Sequence, residues 1–304
     1  MRCLWLVAVA CWCGFAQAPP GEAPPPTALE NTGKPMRLPF QCTEEDLRSF
    51  GLTCPPQHPC PVYLELSGLE PVGNKIFVSG NIHTEAATLA SALLVGSDSG
   101  KTWAEPHERI RAAGLDQIQF LDFEAGWVAG LFLYAVPRDP FLLLTTDGGK
   151  SWRLRPVTAE GRVGTIEAFW FDSRSRGTVL MDRTQAGETS SRYEMYETET
   201  GGESWMIREV SDRPIRSAQK RIRPPNPDWR LHADRATQSY RIEKRLGERW
   251  QPVAAFLIQI GECRASEITV PPAPVEPQVP TPAPVAPAPK APRQPPSLKK
   301  PAAS

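Results

Sequence analysis

The sequence predicts an all-β protein: a small β-propeller of four to five antiparallel blades with a disulfide-stapled N-terminal cap and a disordered proline-rich C-terminal tail. Three observations predict it. A turn segment, Asp98-Ser99-Gly100-Lys101-Thr102-Trp103, returns as Asp147-Gly148-Gly149-Lys150-Ser151-Trp152 and, in worn form, as Thr200-Gly201-Gly202-Glu203-Ser204-Trp205. With Trp250 of Arg245-Leu246-Gly247-Glu248-Arg249-Trp250 as a fainter fourth copy, the tryptophans stand 49, 53 and 45 residues apart, close to the length of a four-stranded blade. The apolar runs between the turns are short and bounded by glycine and polar residues, and no 3.6-residue period competes with them.

The elements follow in chain order. Residues 1–18 read as a signal peptide: one positive charge at Arg2, an apolar run from Leu4 to Phe15, and small residues at Ala16 and Ala18. The run is too short to span a bilayer. Pro19 disfavours cleavage after Ala18, so cleavage after Ala16 is expected, and Cys11 after Leu6-Val7-Ala8-Val9-Ala10 offers lipoprotein anchoring as the alternative. The chain is therefore expected to be exported, either periplasmic or secreted. Residues 19–40 read as a proline-rich linker and 41–61 as a cap, in which Thr43-Glu44-Glu45-Asp46 has the pattern of a helix N-terminus.

Loss of the signal peptide leaves Cys42, Cys54, Cys60 and Cys263, an even number that favours two disulfides in an exported chain. Cys263 ends the repeat region and the other three precede it, so one bridge should join the two ends and close a ring of strands, worth about 3 to 5 kcal/mol over so long a loop. The second bridge is then Cys42 with Cys54 or Cys54 with Cys60.

Within the repeat region, 62–265, each letter of the turn has a physical role. The carboxylates of Asp98 and Asp147 can accept backbone N–H groups just ahead of them, and Gly100, Gly149 and Gly202 can take the positive φ that side chains resist. Thr102, Ser151 and Ser204 can hydrogen-bond locally, and Trp103, Trp152 and Trp205 can bury a large apolar area between sheets. A second phrase precedes the second turn, Ile118-Gln119-Phe120-Leu121-Asp122 then Gly126-Trp127-Val128-Ala129-Gly130, and echoes as Trp170-Phe171-Asp172 then Gly177-Thr178-Val179.

The turn resembles the Asp-box of bacterial neuraminidase repeats, which occurs in sialidases, sortilin-type receptors and the photosystem II stability and assembly factor family. The strand phrase together with Thr145-Thr146-Asp147-Gly148-Gly149-Lys150-Ser151-Trp152 resembles the last of these most. The resemblance implies a propeller in which the motif is structural, sitting on a blade rim away from the central site. Members of that family form seven-bladed rings, whereas the repeat region here holds four or five blades, so it is either a small propeller or an incomplete ring that needs a partner.

Residues 266–304 are dominated by proline and alanine and cannot bury a core, which predicts an extended, disordered tail. Lys290, Arg293, Lys299 and Lys300 stand against Glu276 alone from Pro271 onward, so the tail is mildly basic: either an inert linker or a contact with cell-wall polymer.

Chemistry is sparse. A sialidase needs three arginines on a carboxylate and a Tyr/Glu nucleophile pair; here Arg213-Pro214-Ile215 only scrambles the motif that usually supplies the first arginine, and no Tyr/Glu pair follows from spacing. His107-Glu108-Arg109-Ile110-Arg111 lacks the second histidine of a zinc-protease helix, and His58, His83 and His232 are scattered. No catalytic residue, metal or cofactor is assigned. The candidate binding loop is Arg213, Arg216, Lys220, Arg221 and Arg223, a proline-interrupted basic stretch flanked by Arg208 and Arg230 and suited to carboxylates or phosphates. The net charge of zero and export argue against nucleic acid. The expected function is non-catalytic extracytoplasmic binding or scaffolding through a propeller face, with an extracytoplasmic protein or acidic glycan as partner. The alternative is a sialidase-like glycoside hydrolase acting on cell-surface or environmental glycans.

Overall fold

Apolar runs rich in β-branched and aromatic residues, such as Lys75-Ile76-Phe77-Val78 and Thr165-Ile166-Glu167-Ala168-Phe169-Trp170-Phe171, pair antiparallel with a neighbouring run across a short turn. A computed structural model describes residues 28–265, apart from 135, 160, 185–191 and 216–225. In chain order its elements are β1 (Leu29–Glu30), α1 (Glu44–Ser49), β2 (Cys60–Val72), β3 (Lys75–His83), β4 (Thr88–Ser97), β5 (Thr102–Ala104) and β6 (Ala113–Phe120). Then come β7 (Gly126–Leu133), β8 (Pro137–Thr145), β9 (Arg153–Pro156), β10 (Thr165–Phe171), β11 (Gly177–Asp182) and β12 (Tyr193–Thr198). The last are β13 (Met206–Ser211), β14 (Trp229–Asp234), β15 (Ser239–Leu246), β16 (Arg249–Leu257) and β17 (Gln259–Cys263).

These strands form four sheets in the orders β1-β5-β4-β3-β2-β17, β6-β7-β8-β9, β10-β11-β12-β13 and β14-β15-β16. Among the described residues the blades therefore number four. Each is a meander, and the apolar residues of neighbouring meanders meet face to face. One cluster joins the first sheet to the second through Phe77, Leu93, Leu115, Phe120, Val128 and Phe141. Another joins the second to the third through Trp127, Leu142, Leu144, Phe169, Phe171 and Val179. A third joins the fourth to the first through Ile242, Ala254 and Phe256 against Ile76, Val78 and Leu94. Residues on both faces of the inner strands are thus buried, which is why β3, β4 and β8 read as near-continuous apolar runs.

Residues 28–40, expected to be linker, are built into the sheets. β1 pairs with β5 at the outer edge of the first sheet, and Met36 makes a parallel bridge to Phe256 at the outer edge of the fourth. Met36 N donates to Ala255 O at 2.8 Å and Leu257 N to Met36 O at 2.8 Å. Between them Asn31 Nδ2 donates to Gly100 O of the first sheet and Val253 O of the fourth. The segment adds to sheet edges by backbone hydrogen bonds, which its own residue pattern does not announce, and Leu38 is buried beneath it. At the other side of the same seam β17 pairs with the start of β2.

Cys42–Cys263 ties the cap to the end of β17, and Cys54–Cys60 closes the short loop before β2. One bridge therefore joins the ends of the repeat region, and of the two pairings left open for the other, Cys54–Cys60 is the one formed. Thr43 caps α1: its hydroxyl accepts from Asp46 N while the Asp46 carboxylate accepts from Thr43 N, a reciprocal box closed by Asp at the third helical position. Among the described residues no helix is long and apolar enough to cross a membrane. The signal-peptide segment and the tail lie outside the described residues.

Candidate functional site

The repeated turns occupy equivalent places, each linking the third strand of its sheet to the fourth. In the second, the Asp147 carboxylate accepts from Lys150 N at 2.9 Å, Ser151 N at 3.0 Å and Ser151 Oγ, while Thr145 Oγ1 donates to Asp147 and accepts from Gly149 N. Burial alone would raise this carboxyl, but the hydrogen bonds from Ser151, Thr145 and Lys150 outweigh it and hold it at about 2. In the third turn the Thr200 hydroxyl takes the carboxylate's place, accepting from Ser204 N at 2.9 Å, and Gly202 N donates to Thr198 Oγ1.

The first turn departs from this scheme. Asp98 and Ser99 take φ of 50° and 59°, Gly100 follows at 90°, and Ser97 O rather than a side chain accepts from Gly100 N and Lys101 N. Asp98 thus does not receive the N–H groups expected of it. The position of Thr145 and Thr198 is held here by Gly96, where a Cβ would stand 2.7 Å from the Trp103 ring. Room for the indole removes the hydroxyl that organises the other two turns. Thr102 begins β5 and pairs with Ser97 and Glu30.

The three indoles sit alike, each at the seam with the preceding sheet. Trp103 meets Phe256 of the fourth sheet edge-on at 5.1 Å, Trp152 meets Phe77 of the first, and Trp205 packs on the cluster that joins the second and third. A carbonyl of each turn also receives a donor from the preceding side: Gly100 O from Asn31 Nδ2, Gly148 O from Lys75 Nζ and Gly201 O from Trp127 Nε1. The turns are mortises between blades. The fourth copy, Arg245 to Trp250, is not one of them: it forms the hairpin from the second strand to the third of its sheet, with Arg230 stacked over Trp250 at 4.4 Å. Spacing along the chain does not report which hairpin a turn occupies.

The first strands of the four sheets, β2, β6, β10 and β14, surround one axial cavity of about 500 Å³. Its walls include Leu69, Ile118, Phe169, Trp229 and Leu231, with Glu70, Asp116, Gln119 and Arg230 among the polar groups. Three of these strands carry a bulge at the same level, at Ser67, at Asp116-Gln117 and at Glu167. The first two bulges supply donors to the next sheet: Ser67 Oγ to Leu115 O at 2.9 Å, and Gln117 Nε2 to Glu167 O at 3.0 Å. Gln119 adds a two-way bond with the Phe171 backbone. Glu167 stands third in this series and, as a carboxylate, has no hydrogen to donate; burial and then the Asp182 charge raise its carboxyl above the usual range. Arg230 is held by Glu243, whose carboxylate is buried, with a contact of 2.6 Å. Sequence reasoning missed this ring of polar residues, although a polar residue in mid-strand where its neighbours are apolar is the signal of such a bulge.

A Tyr/Glu pair does exist. Tyr196 Oη donates to Glu194 at 2.7 Å, and Glu194 also pairs with Arg183 at 3.0 Å and with Arg162. Tyr196 is 4% exposed and Glu194 2%, within the third strand of the third sheet and off the cavity wall. Burial, and then the hydrogen bond to Glu194, raise the Tyr196 hydroxyl above its ordinary range. Two residues apart on one strand, the pair shares a face; the arginines come from a loop and from the end of β11, which spacing could not foresee.

Of the candidate binding loop, Arg213 is exposed, with its N donating to Ser211 Oγ, while Arg216, Lys220, Arg221 and Arg223 lie outside the described residues. Among the described residues no group of His, Cys, Asp and Glu could hold a metal ion.

No protein-family model matches the chain, and no curated protein matches it. Among solved structures it is similar to YCF48 bound to a D1 peptide, at 18% identity and a TM-score of 0.34 over 64% of this chain and 56% of that one. It is also similar to an α-L-arabinanase of Penicillium chrysogenum complexed with arabinobiose, at 13% identity and 0.34 over 75% and 66%. A third is the GH74 xyloglucanase of Xanthomonas campestris, at 18% and 0.33 over 44% and 18%. The chain spans a little over half the length of the YCF48 chain it matches.

Proposed function

We propose that this protein is a non-catalytic binding or scaffold protein of an extracytoplasmic compartment, presenting the axial face of its propeller to a protein or acidic glycan, in the manner of the assembly factors that its turns resemble. The observation that carries the reading is the axial cavity. Ser67, Gln117 and Gln119 on its inner strands hold neighbouring sheets together, and the rest of its wall includes Trp229 and Arg230, which alternate along β14, the guanidinium lying over Trp250 and pairing with Glu243. An indole and a guanidinium recognise a partner by stacking and by charge rather than by moving protons. Two disulfides fit an oxidising compartment.

The test is retention of acidic oligosaccharides and envelope proteins on the immobilised protein. The variant carrying Trp229→Ala and Arg230→Ala should retain at least about tenfold less, as expected for truncating an aromatic and an Arg anchor. A second variant with Arg213, Arg216, Lys220, Arg221 and Arg223 changed to Ala assigns the share of the basic loop. Undiminished retention by both variants would overturn the reading.

One observation favours the glycosidase alternative: Tyr196, Glu194, Arg162 and Arg183 are the residue types that sialidase chemistry uses, gathered in one cluster. Release of fluorophore from a sialoside that Tyr196→Phe abolishes would replace the binding reading with that one. The expected result is no release, because the phenol and the carboxylate are both buried within the sheet.

A further inference from the structure

The outer edges of the four sheets are treated differently. This chain's own N-terminal segment covers two of them, as β1 on β5 and Met36 on β16. The edge of β9 is short and ends in Pro156, with Arg153 and Arg155 tied to Glu203 of the next turn, which blunts it. On β13 the residues Met206 to Val210 are all exposed, and among the described residues no strand pairs with its far edge. Met206 at 68% and Ile207 at 52% are among the most exposed large apolar residues of the molecule. β13 also carries a bulge and the charged Arg208 and Glu209, but its exposed Met206, Ile207 and Val210 leave apolar surface on an edge that no described strand covers, and that surface calls for an occupant.

The side-chain order of β13 names one. Met206, Glu209 and Ser211 oppose Glu197, Met195 and Tyr193 of β12, so they share one face; Ile207 and Val210 oppose Tyr196 and Glu194 and share the other. Arg208 is the extra residue of the bulge, and its 3.8 Å contact with Glu197 puts it on the Met206 face. Without the bulge Arg208 and Glu209 would point to opposite faces; with it, the order of faces is the same read from either end. We infer that β13 is the contact of a two-fold homodimer, running antiparallel and edge to edge with β13 of a second copy, with the axis between Arg208 and Glu209. Arg208 then lies opposite Glu209 of the partner subunit, Ile207 opposite Val210 and Met206 opposite Ser211, each pair occurring twice. A two-fold interface must be complementary to itself, and opposite charges and apolar pairs facing across an antiparallel ladder are what stabilise it. One six-residue strand is less than a permanent interface requires, so the dimer is a reversible one.

The full chain should show a monomer–dimer equilibrium across the micromolar range by sedimentation velocity. Arg208→Glu alone, or Glu209→Arg alone, places like charges opposite each other twice and should weaken the dimer by about tenfold or more. The double variant R208E/E209R restores opposite charges and should return the dissociation constant to near that of the parent. Far-UV circular dichroism checks that each variant is folded; all three changes are at exposed positions. As a second measurement, a chain carrying Ile207→Cys and Val210→Cys should form a disulfide-linked dimer under mild oxidation. A parent chain that stays monomeric, a dimer indifferent to the single reversals, a double variant that stays as weak as the singles, or a cysteine variant that does not cross-link would each overturn the proposal.

Discussion

Asp98 and Asp147 occupy the same position of nearly identical segments, yet only Asp147 holds its turn through its carboxylate. Their substitutions should therefore differ. Asp147→Ala removes charge-assisted hydrogen bonds to two backbone N–H groups and two hydroxyls, and should cost about 1 to 3 kcal/mol in urea unfolding. Asp98→Asn keeps a side chain that tolerates positive φ and should change stability by less than about 0.5 kcal/mol. The same contrast sets an acid dependence. The folded Asp147 carboxyl lies at about 2, below its ordinary 3.8, so its contribution is complete above the higher value and lost as the pH falls through the lower. Stability measured from pH 5 down to 2 should fall less steeply in Asp147→Ala than in the parent, by up to about 2 kcal/mol over that window. An equal slope in the two proteins would mean that the turn does not hold the carboxylate in solution.

At the scale of elements, the sheets were legible in the sequence because each depends on signals that are local. The Asp-Gly-Gly turn, the apolar runs on either side and the tryptophan that follows are all set within about ten residues. The strands that this chain adds to existing edges were not legible. Residues 28–40 include Gly33, Pro35 and Pro39, which read as linker, while their backbone hydrogen bonds come from β5 and β16. The axial polar residues were hidden for a related reason: Ser67, Gln117 and Gln119 bond across sheets, and no spacing rule spans that distance. Thr200 shows the opposite case, a worn copy that keeps its turn because a hydroxyl can accept where the carboxylate did. Because residues 28–40 pack into the sheets, Leu38→Ala should behave as a core truncation and cost about 2 to 4 kcal/mol. A true linker position would cost nothing measurable. Chemical denaturation of the single variant decides between them.

For the whole molecule, the seam between the first and fourth sheets carries most of the covalent and added-strand reinforcement. Met36, Asn31, β17 and Cys42–Cys263 all bear on it, whereas the seams between the first and second and the second and third sheets rest on side-chain packing, inner-strand hydrogen bonds and the turn mortises. The two ends of the repeat region meet at this seam, and it is where thermal opening would begin if it were left to packing alone. The two disulfides should therefore differ in effect. Cys42–Cys263 spans 221 residues and Cys54–Cys60 spans 6. Chain entropy alone assigns them about 5 and about 2 kcal/mol of stabilisation respectively. Replacing Cys42 and Cys263 with Ser should lower the melting temperature more than replacing Cys54 and Cys60. Amide exchange should quicken first in β17, the start of β2 and β16, and then spread, whereas loss of the shorter bridge should loosen only the loop before β2. Equal melting temperatures for the two double variants would mean that the added strand and the packed face hold this seam without the bridge. In that case combining Leu38→Ala with Cys42→Ser and Cys263→Ser should cost more than the sum of the separate changes, because each would be masking the other at the same joint.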